Sequence, residues 1–252
     1  MKNICYLLLL LSSALFAQDY DKNWQKVIQF ENQGKLKSAN TIVNKIHKKA
    51  ISDKNEVQII KCFFYESKYL QVVDENAQKK IILNLKKEIN QASIPSKAIL
   101  NWIYAKCLKT YKNQNGYLIY NRTNTVSLDD DFLTWTSKDF EKEIASSITK
   151  TLADETILKK TTLKQYEELF DFAASKEFNS ETLFEYLLKE NIEFYKDEIG
   201  NWINPDNKLN QFEKQLLGKS ADFVLLNFET LKVEKLKNLL HLFQKQELNN
   251  PN

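Results

Sequence analysis

WQKVIQFENQGKLKSANTIVNKIHKKA, residues 24–50, decides how this chain is built. After Gly34, the apolar residues Leu36, Ala39, Val43, Ile46 and Ala50 recur every three or four positions. That period places them on one face of a helix. A glycine enters the left-handed conformation that stops a helix at no steric cost, so a first helix ends near Gly34 and a second starts at once. The small Ala39, five residues on, suits two antiparallel helices packed closely. The same period returns in Ala77, Ile81, Leu85 and Ile89, and again in Val233, Leu236, Leu240 and Phe243. No segment shows the sustained alternation of a half-buried strand. Glycine and proline are scarce, 4 and 3 in 252 residues, and most fall where helices turn. The expectation is an all-α protein of irregular helical hairpins packed as an α–α array.

The hairpin at 24–50 resembles one tetratricopeptide-type helical pair, although the full repeat pattern does not recur cleanly along the chain. Further helices are expected at about 53–72 and 74–91, with a long one at about 96–120 entered through Ser93-Ile94-Pro95. These make an N-terminal helical hairpin region, 18–120. A connector at 121–136, rich in Asn, Thr, Ser and Asp, interrupts it. A second helical region, 137–252, follows, with helices at about 137–153, 155–173, 181–198 and 231–247. Thr136 with Asp139 three residues on predicts a cap for the first of these. Residues 199–218, with Gly, Pro, Asn and aromatics, predict an ordered loop.

The first residues carry a processing signal: Lys2, an apolar run from Ile4 to Phe16, and a cleavage point after Ala17. That run is short for a membrane span and has the layout of a secretory signal peptide over 1–17. The mature protein is expected to be exported, periplasmic or secreted, without stable membrane insertion. Net charge is +3, with lysines scattered among glutamates. Scattered charge describes solvated helix faces and not the clustered basic patch that nucleic acid requires. Cys62 and Cys107 remain after processing. An oxidising compartment permits a disulfide between them, but the chain is long enough to build a core without one, and buried thiols are the preferred reading.

The candidates for chemistry are few. His47 and His241 belong to no zinc-type cluster, and no nucleophile elbow, P-loop or dinucleotide fingerprint is present. Catalytic, cofactor-binding and metal-binding residues are therefore expected to be absent. Asp129, Asp130 and Asp131 lack the spacing and glycine of a calcium loop. Arg122 is the only arginine in a chain that otherwise uses lysine for its positive charge. A guanidinium offers a planar fork of donors for a carboxylate or backbone carbonyls. We expect Arg122 to pin the connector, with Asp130, Asp131 and Trp135 as its other structural residues. Trp24 and Trp102 are expected to fill gaps between helices, while Trp135 and Trp202 are the better candidates for contact residues.

Several landmarks, taken in order, resemble the N-terminal helical region of large bacterial alpha-2-macroglobulin-like proteins, which trap or inhibit proteases. They are Trp24 with "GKLKSA" at 34–39, "NRT" at 121–123, "DDFLTW" at 130–135, "LFEYLLKENIEFY" at 183–195 and "SADFVLLNFET" at 220–230. An Arg-Pro pair expected before the aromatic helix is replaced by Ser180 and Glu181. The resemblance implies a protein-protein interaction or scaffolding module whose partner is a set of macroglobulin domains or another envelope protein. It also implies a connector that acts as an architectural joint. Neither Cys62 nor Cys107 stands in the Cys-x-Glu-Gln setting of the family's thioester. A stand-alone tetratricopeptide-like binding protein of the cell envelope is the alternative.

Overall fold

The structure, a computed structural model, describes residues 19–122, 131–170, 181–199, 216 and 218–249. The proposed leader, Asp130, Trp202 and most of the loop expected at 199–218 lie outside those residues. The chain is all-α. Among the described residues the one strand-type pairing is an isolated antiparallel bridge between Thr162 and Thr182. The chain divides into two compact units. One comprises Met1–Ala145 with Tyr166–Ser175, the other Ser146–Gln165 with Lys176–Asn252.

In the first unit, α1 (19–32) ends at Gly34, whose φ is +69°. The Gly34 N–H donates to Glu31 O at 2.8 Å and the Lys35 N–H to Phe30 O at 2.9 Å, closing the turn. Helix α2 (Leu36–Asp53) then buries Ala39, Val43, Ile46 and Ala50, the stripe expected from its spacing. Helix α3 (Glu56–Val73) completes an up-down-up arrangement. Tyr20 Oη donates to Asp53 Oδ2 at 2.7 Å, tying the start of α1 to the end of α2. Lys68 meets Glu31 at 2.8 Å, so the ends of α1 and α3 coincide. Tyr20, Trp24 and Val27 close the core over α2, with Cys62 and Tyr69 contributed by α3. Trp24 Nε1 donates to Gln58 Oε1 at 2.6 Å, which satisfies an indole that is otherwise buried.

Helices α4 (Ala77–Gln91) and α5 (Ile94–Gln114) form the next hairpin. Glu56 at the start of α3 accepts from both Ser93 N, at 2.9 Å, and Ser93 Oγ, at 2.5 Å. It thereby fixes where α5 begins. The single long helix expected at 96–120 is in fact two, α5 and the short α6 (Gly116–Tyr120). The break has a local cause: Asn115 Nδ2 donates to Tyr111 O at 2.9 Å, and Gly116 follows. Past the connector, α7 (Ser137–Lys150) is capped as expected. Thr136 N and Oγ1 donate to Asp139 Oδ2 at 2.9 and 2.7 Å, and Asp139 N donates back to Thr136 Oγ1 at 3.3 Å.

In the second unit the helix expected at 155–173 is not continuous. Helix α8 (Glu155–Leu158) lasts one turn, and a 3-10 segment, Leu163–Leu169, lies beyond. Between them Thr161 Oγ1 bonds back to Ile157 O at 2.9 Å, and the Leu163 N–H leaves the helix ladder for Glu181 O at 3.0 Å. Thr162 then pairs with Thr182. Helix α9 (Leu183–Ile199) starts with a reciprocal cap, Thr182 N to Glu185 Oε2 at 2.8 Å and Glu185 N to Thr182 Oγ1 at 3.2 Å. One turn, α10 (Ser220–Phe223), precedes α11 (Glu234–Asn249). Helices α9 and α11 run antiparallel, since Lys235 reaches Glu198 at 2.6 Å and Asn238 bonds Tyr195 Oη at 3.3 Å. Gln244 Nε2 donates to Phe223 O and Leu226 O at 3.0 and 2.8 Å, serving a turn whose carbonyls have left the helix.

Candidate functional site

Of the connector residues singled out from sequence, Arg122, Asp131 and Trp135 are described. Arg122 Nη1 donates to the backbone carbonyl of Trp135 at 2.7 Å. Asp131 accepts Leu133 N at 3.0 Å through its carboxylate, and its own carbonyl accepts Thr134 Oγ1 at 2.9 Å. Trp135 is buried, and with Tyr111, Phe132 and Phe140 it forms a cluster with ring centroids 5.1–6.4 Å apart. Four are edge contacts and the Tyr111–Phe140 pair is stacked, arrangements aromatic rings prefer. The four side chains fill the joint and leave Trp135 no ligand-facing role.

A different region of the first unit has the shape of a binding site. Helices α2, α3 and α4 enclose a groove of about 380 Å³. Its floor is apolar, with Phe63, Leu70 and Ile81, because these helices turn part of their apolar faces towards one another. Its walls are amides. Asn40 and Asn44 are one helical turn apart on α2, and Asn84 faces the same space from α4. The Asn40 Oδ1 atom is buried and has no hydrogen-bond partner among the described residues. A buried acceptor without a donor costs roughly 1–3 kcal/mol and is uncommon in a native fold.

One wall of this groove carries charge. Glu66 lines it, and Glu66 Oε1 lies 2.9 Å from His47 Nδ1. The Glu66 hydrogen bond raises the His47 pKa, burial opposes that shift, and the Glu66 and Glu88 charges add to it. Behind His47 lies a second cavity of about 420 Å³, with Ile60, Phe63 and Leu100 among its apolar residues and Glu88 at its edge. A wider recess of about 700 Å³ between α4 and α5 holds Trp102 and Cys107, with Lys106 Nζ 4.3 Å from the Trp102 ring centroid.

Both described cysteines are free thiols, Cys62 fully buried and Cys107 half-buried. Burial pushes both thiols above their ordinary range, the opposite of what a nucleophilic thiolate needs. His241 Nδ1 lies 3.0 Å from Gln244 Oε1, and the His241 ring packs edge-on to Phe228. Among the described residues no group of three or more His, Cys, Asp and Glu could hold a metal ion. None of the described helices is long and apolar enough to cross a membrane.

The chain matches no family model, no curated protein sequence and no solved structure. Function is therefore argued from the site itself. The sequence reading singled out the connector and the tryptophans and passed over the groove. The asparagines at 40 and 44 were its one available signal, a polar stripe beside the apolar stripe of the same helix.

Proposed function

We propose that the chain is a non-catalytic helical interaction module that holds an extended segment of a partner protein in the groove between α2, α3 and α4. The observation that carries this reading is the buried, unpartnered Asn40 amide oxygen, flanked by Asn44 and Asn84 above an apolar floor. An extended chain presents N–H and C=O groups along its length, and each needs a partner when it is buried. A side-chain amide supplies a donor and an acceptor together, so it can pair with main chain of any sequence. The apolar floor then takes alternate side chains. The up-down-up packing of α1, α2 and α3 agrees with a tetratricopeptide-like hairpin, and the cell-envelope binder is the form of this reading that the groove favours. Export is part of the proposal, resting on the 1–17 leader. N-terminal sequencing of the exported protein checks it, and a mature terminus far from Gln18 would contradict it.

The test is a selection of displayed random peptides against the full chain. Peptides that bind should lose about tenfold in affinity to Asn40→Ala or Asn44→Ala, the loss expected for about one well-placed hydrogen bond. Selected peptides indifferent to both substitutions would sink the groove reading.

A second reading is the front end of an alpha-2-macroglobulin-like protease-trapping factor. Its support is the ordered set of sequence landmarks and an apolar end to the first unit. Val72 and Val73 close α3, Tyr117, Leu118 and Tyr120 make up most of α6, and all five are exposed. Gln78 bonds Gln114 at 2.9 Å, which brings the start of α4 to the end of α5 and so sets these residues towards one end of the array. Exposed apolar residues gathered in this way suit a covering neighbour. Sequencing the DNA downstream of codon 252 tests this reading. β-sandwich domains with a Cys-x-Glu-Gln motif would establish it, and unrelated sequence would count against it.

A further inference from the structure

We infer that the cavity behind His47 is a second site, which binds a small primary amine with an apolar body. Its volume, about 420 Å³, falls within the range of small-ligand pockets. Ile59, Ile60, Phe63 and Leu100 give it an apolar interior. Several of the polar groups that line it, which also include Gln91, are engaged. Glu56 is occupied by Ser93, and His47 Nδ1 by Glu66. Ser96 Oγ lies 3.2 Å from Tyr166 Oη. Lys54 is exposed on the turn after α2 and forms no ion pair among the described residues. Glu88 is the carboxylate among them that is half-buried and makes no side-chain hydrogen bond or ion pair to another described residue.

A carboxylate partly removed from water, with no hydrogen-bond donor among the described residues, is stabilised when a further cation or a proton arrives. Burial raises the Glu88 pKa, the His47 charge lowers it and the Glu66 charge raises it. An ammonium group supplies charge and donors at Glu88, while an attached hydrocarbon covers the Ile60 and Leu100 side of the cavity. The cavity shares Phe63 with the asparagine groove but uses none of its asparagines, and this inference stands or falls without that groove's role.

The test titrates the full chain with hexylammonium, hexanol and hexanoate, following the NMR shifts of Ile60 and Leu100 methyl groups. Hexylammonium should bind about tenfold more tightly than hexanol, the size of one charge-assisted hydrogen bond at a half-exposed site, with hexanoate weakest. Glu88→Gln, nearly isosteric, should bring hexylammonium down to the level of hexanol and leave hexanol unchanged. Ala92→Leu, which fills the cavity from the end of α4, should weaken both. Equal binding of hexylammonium and hexanol, indifference to Glu88→Gln, or no saturable shift at Ile60 and Leu100 would overturn the assignment.

Discussion

The two units hold themselves together in different ways. The first has a stacked apolar and aromatic core. Most of its polar pins sit near helix ends, Tyr20 on Asp53, Trp24 on Gln58 and Glu56 on Ser93, although Trp24 on Gln58 and Ser96 with Tyr166 are buried. The second places a polar pair inside the core. Asn191 and Thr151 are both fully buried, Asn191 Nδ2 donates to Thr151 Oγ1 at 2.6 Å, and Thr151 Oγ1 donates to Ile148 O at 2.7 Å. Pins at helix ends leave the spaces between helices to side-chain volume, and in the first unit that volume is incomplete, which is where its groove and cavities lie. A buried polar pair does the reverse, fixing the approach of two segments where apolar packing alone would tolerate sliding.

The largest effect expected of this contrast is in the aromatic joint. Phe140→Ala removes a side chain with no exposed surface from among Tyr111, Phe132 and Trp135. It should cost about 3–5 kcal/mol in denaturant unfolding. A loss below about 1 kcal/mol would mean that the joint is not packed as described.

The next effect belongs to the second unit. Thr151→Val leaves the Asn191 amide without its acceptor and should cost about 1–3 kcal/mol. Adding Asn191→Leu to that variant should recover most of the loss, because replacing both partners with apolar groups removes the unsatisfied donor. A double variant less stable than the single one would show that the pair contributes net stability.

Arg122→Lys tests the pin on the connector. A lysine keeps the charge but loses the fixed fork aimed at the Trp135 carbonyl, and the melting temperature should fall by the equivalent of about 1 kcal/mol. An unchanged melting temperature would remove the geometric reason for the lone arginine.

The sign of the pH dependence follows from the direction of each shift. The Glu66 hydrogen bond raises His47 in the fold, so its stabilisation is full below the unfolded pKa of about 6.5 and is lost as pH rises through the folded value. Glu88, raised by burial, acts in the same direction at lower pH, since its ionisation above about 4.3 is penalised only in the fold. Asp53 and Asp139 are lowered, first by their side-chain bonds to Tyr20 and Thr136 respectively, so what they contribute is lost in acid. Wild-type stability should therefore decline as pH rises above about 6.5, and His47→Gln should flatten that decline. An equal slope in the variant would assign the dependence to other groups.

The smallest effect is a gain. Lys54, at the end of α2, holds φ +55°, a conformation that glycine adopts freely and lysine does not. Lys54→Gly should stabilise the chain by about 0.5–1 kcal/mol, offset in part by greater freedom of the unfolded chain. A loss would mean that the lysine side chain contributes more than its backbone strain costs.

Lys54 also shows what the sequence concealed. The turn at Gly34 was legible because its glycine announces the left-handed residue. The turn at Lys54 uses the same conformation with nothing to announce it. The Thr136–Asp139 cap was legible from spacing, and Thr182 with Glu185 has equal spacing at the start of the helix read over about 181–198. The break after Leu158 was invisible because Thr161 and Thr162 leave the helix for partners at Ile157 and Thr182, the latter twenty positions away. Arg122 was conspicuous by its type, though its acceptor at Trp135 depends on how the connector folds. The groove was hardest of all. Asn40 and Asn44 mark a polar stripe on α2, but their position opposite Asn84 requires the register of three helices, which no periodicity within one helix encodes.

The most direct test of the central claim is amide hydrogen exchange of the full chain, with and without a peptide selected against it. The groove predicts added protection on the facing turns of α2, α3 and α4, around Asn40, Leu70 and Asn84, with α9 and α11 unchanged. Protection confined to α9 and α11, or to α6, would place the partner elsewhere and contradict the account.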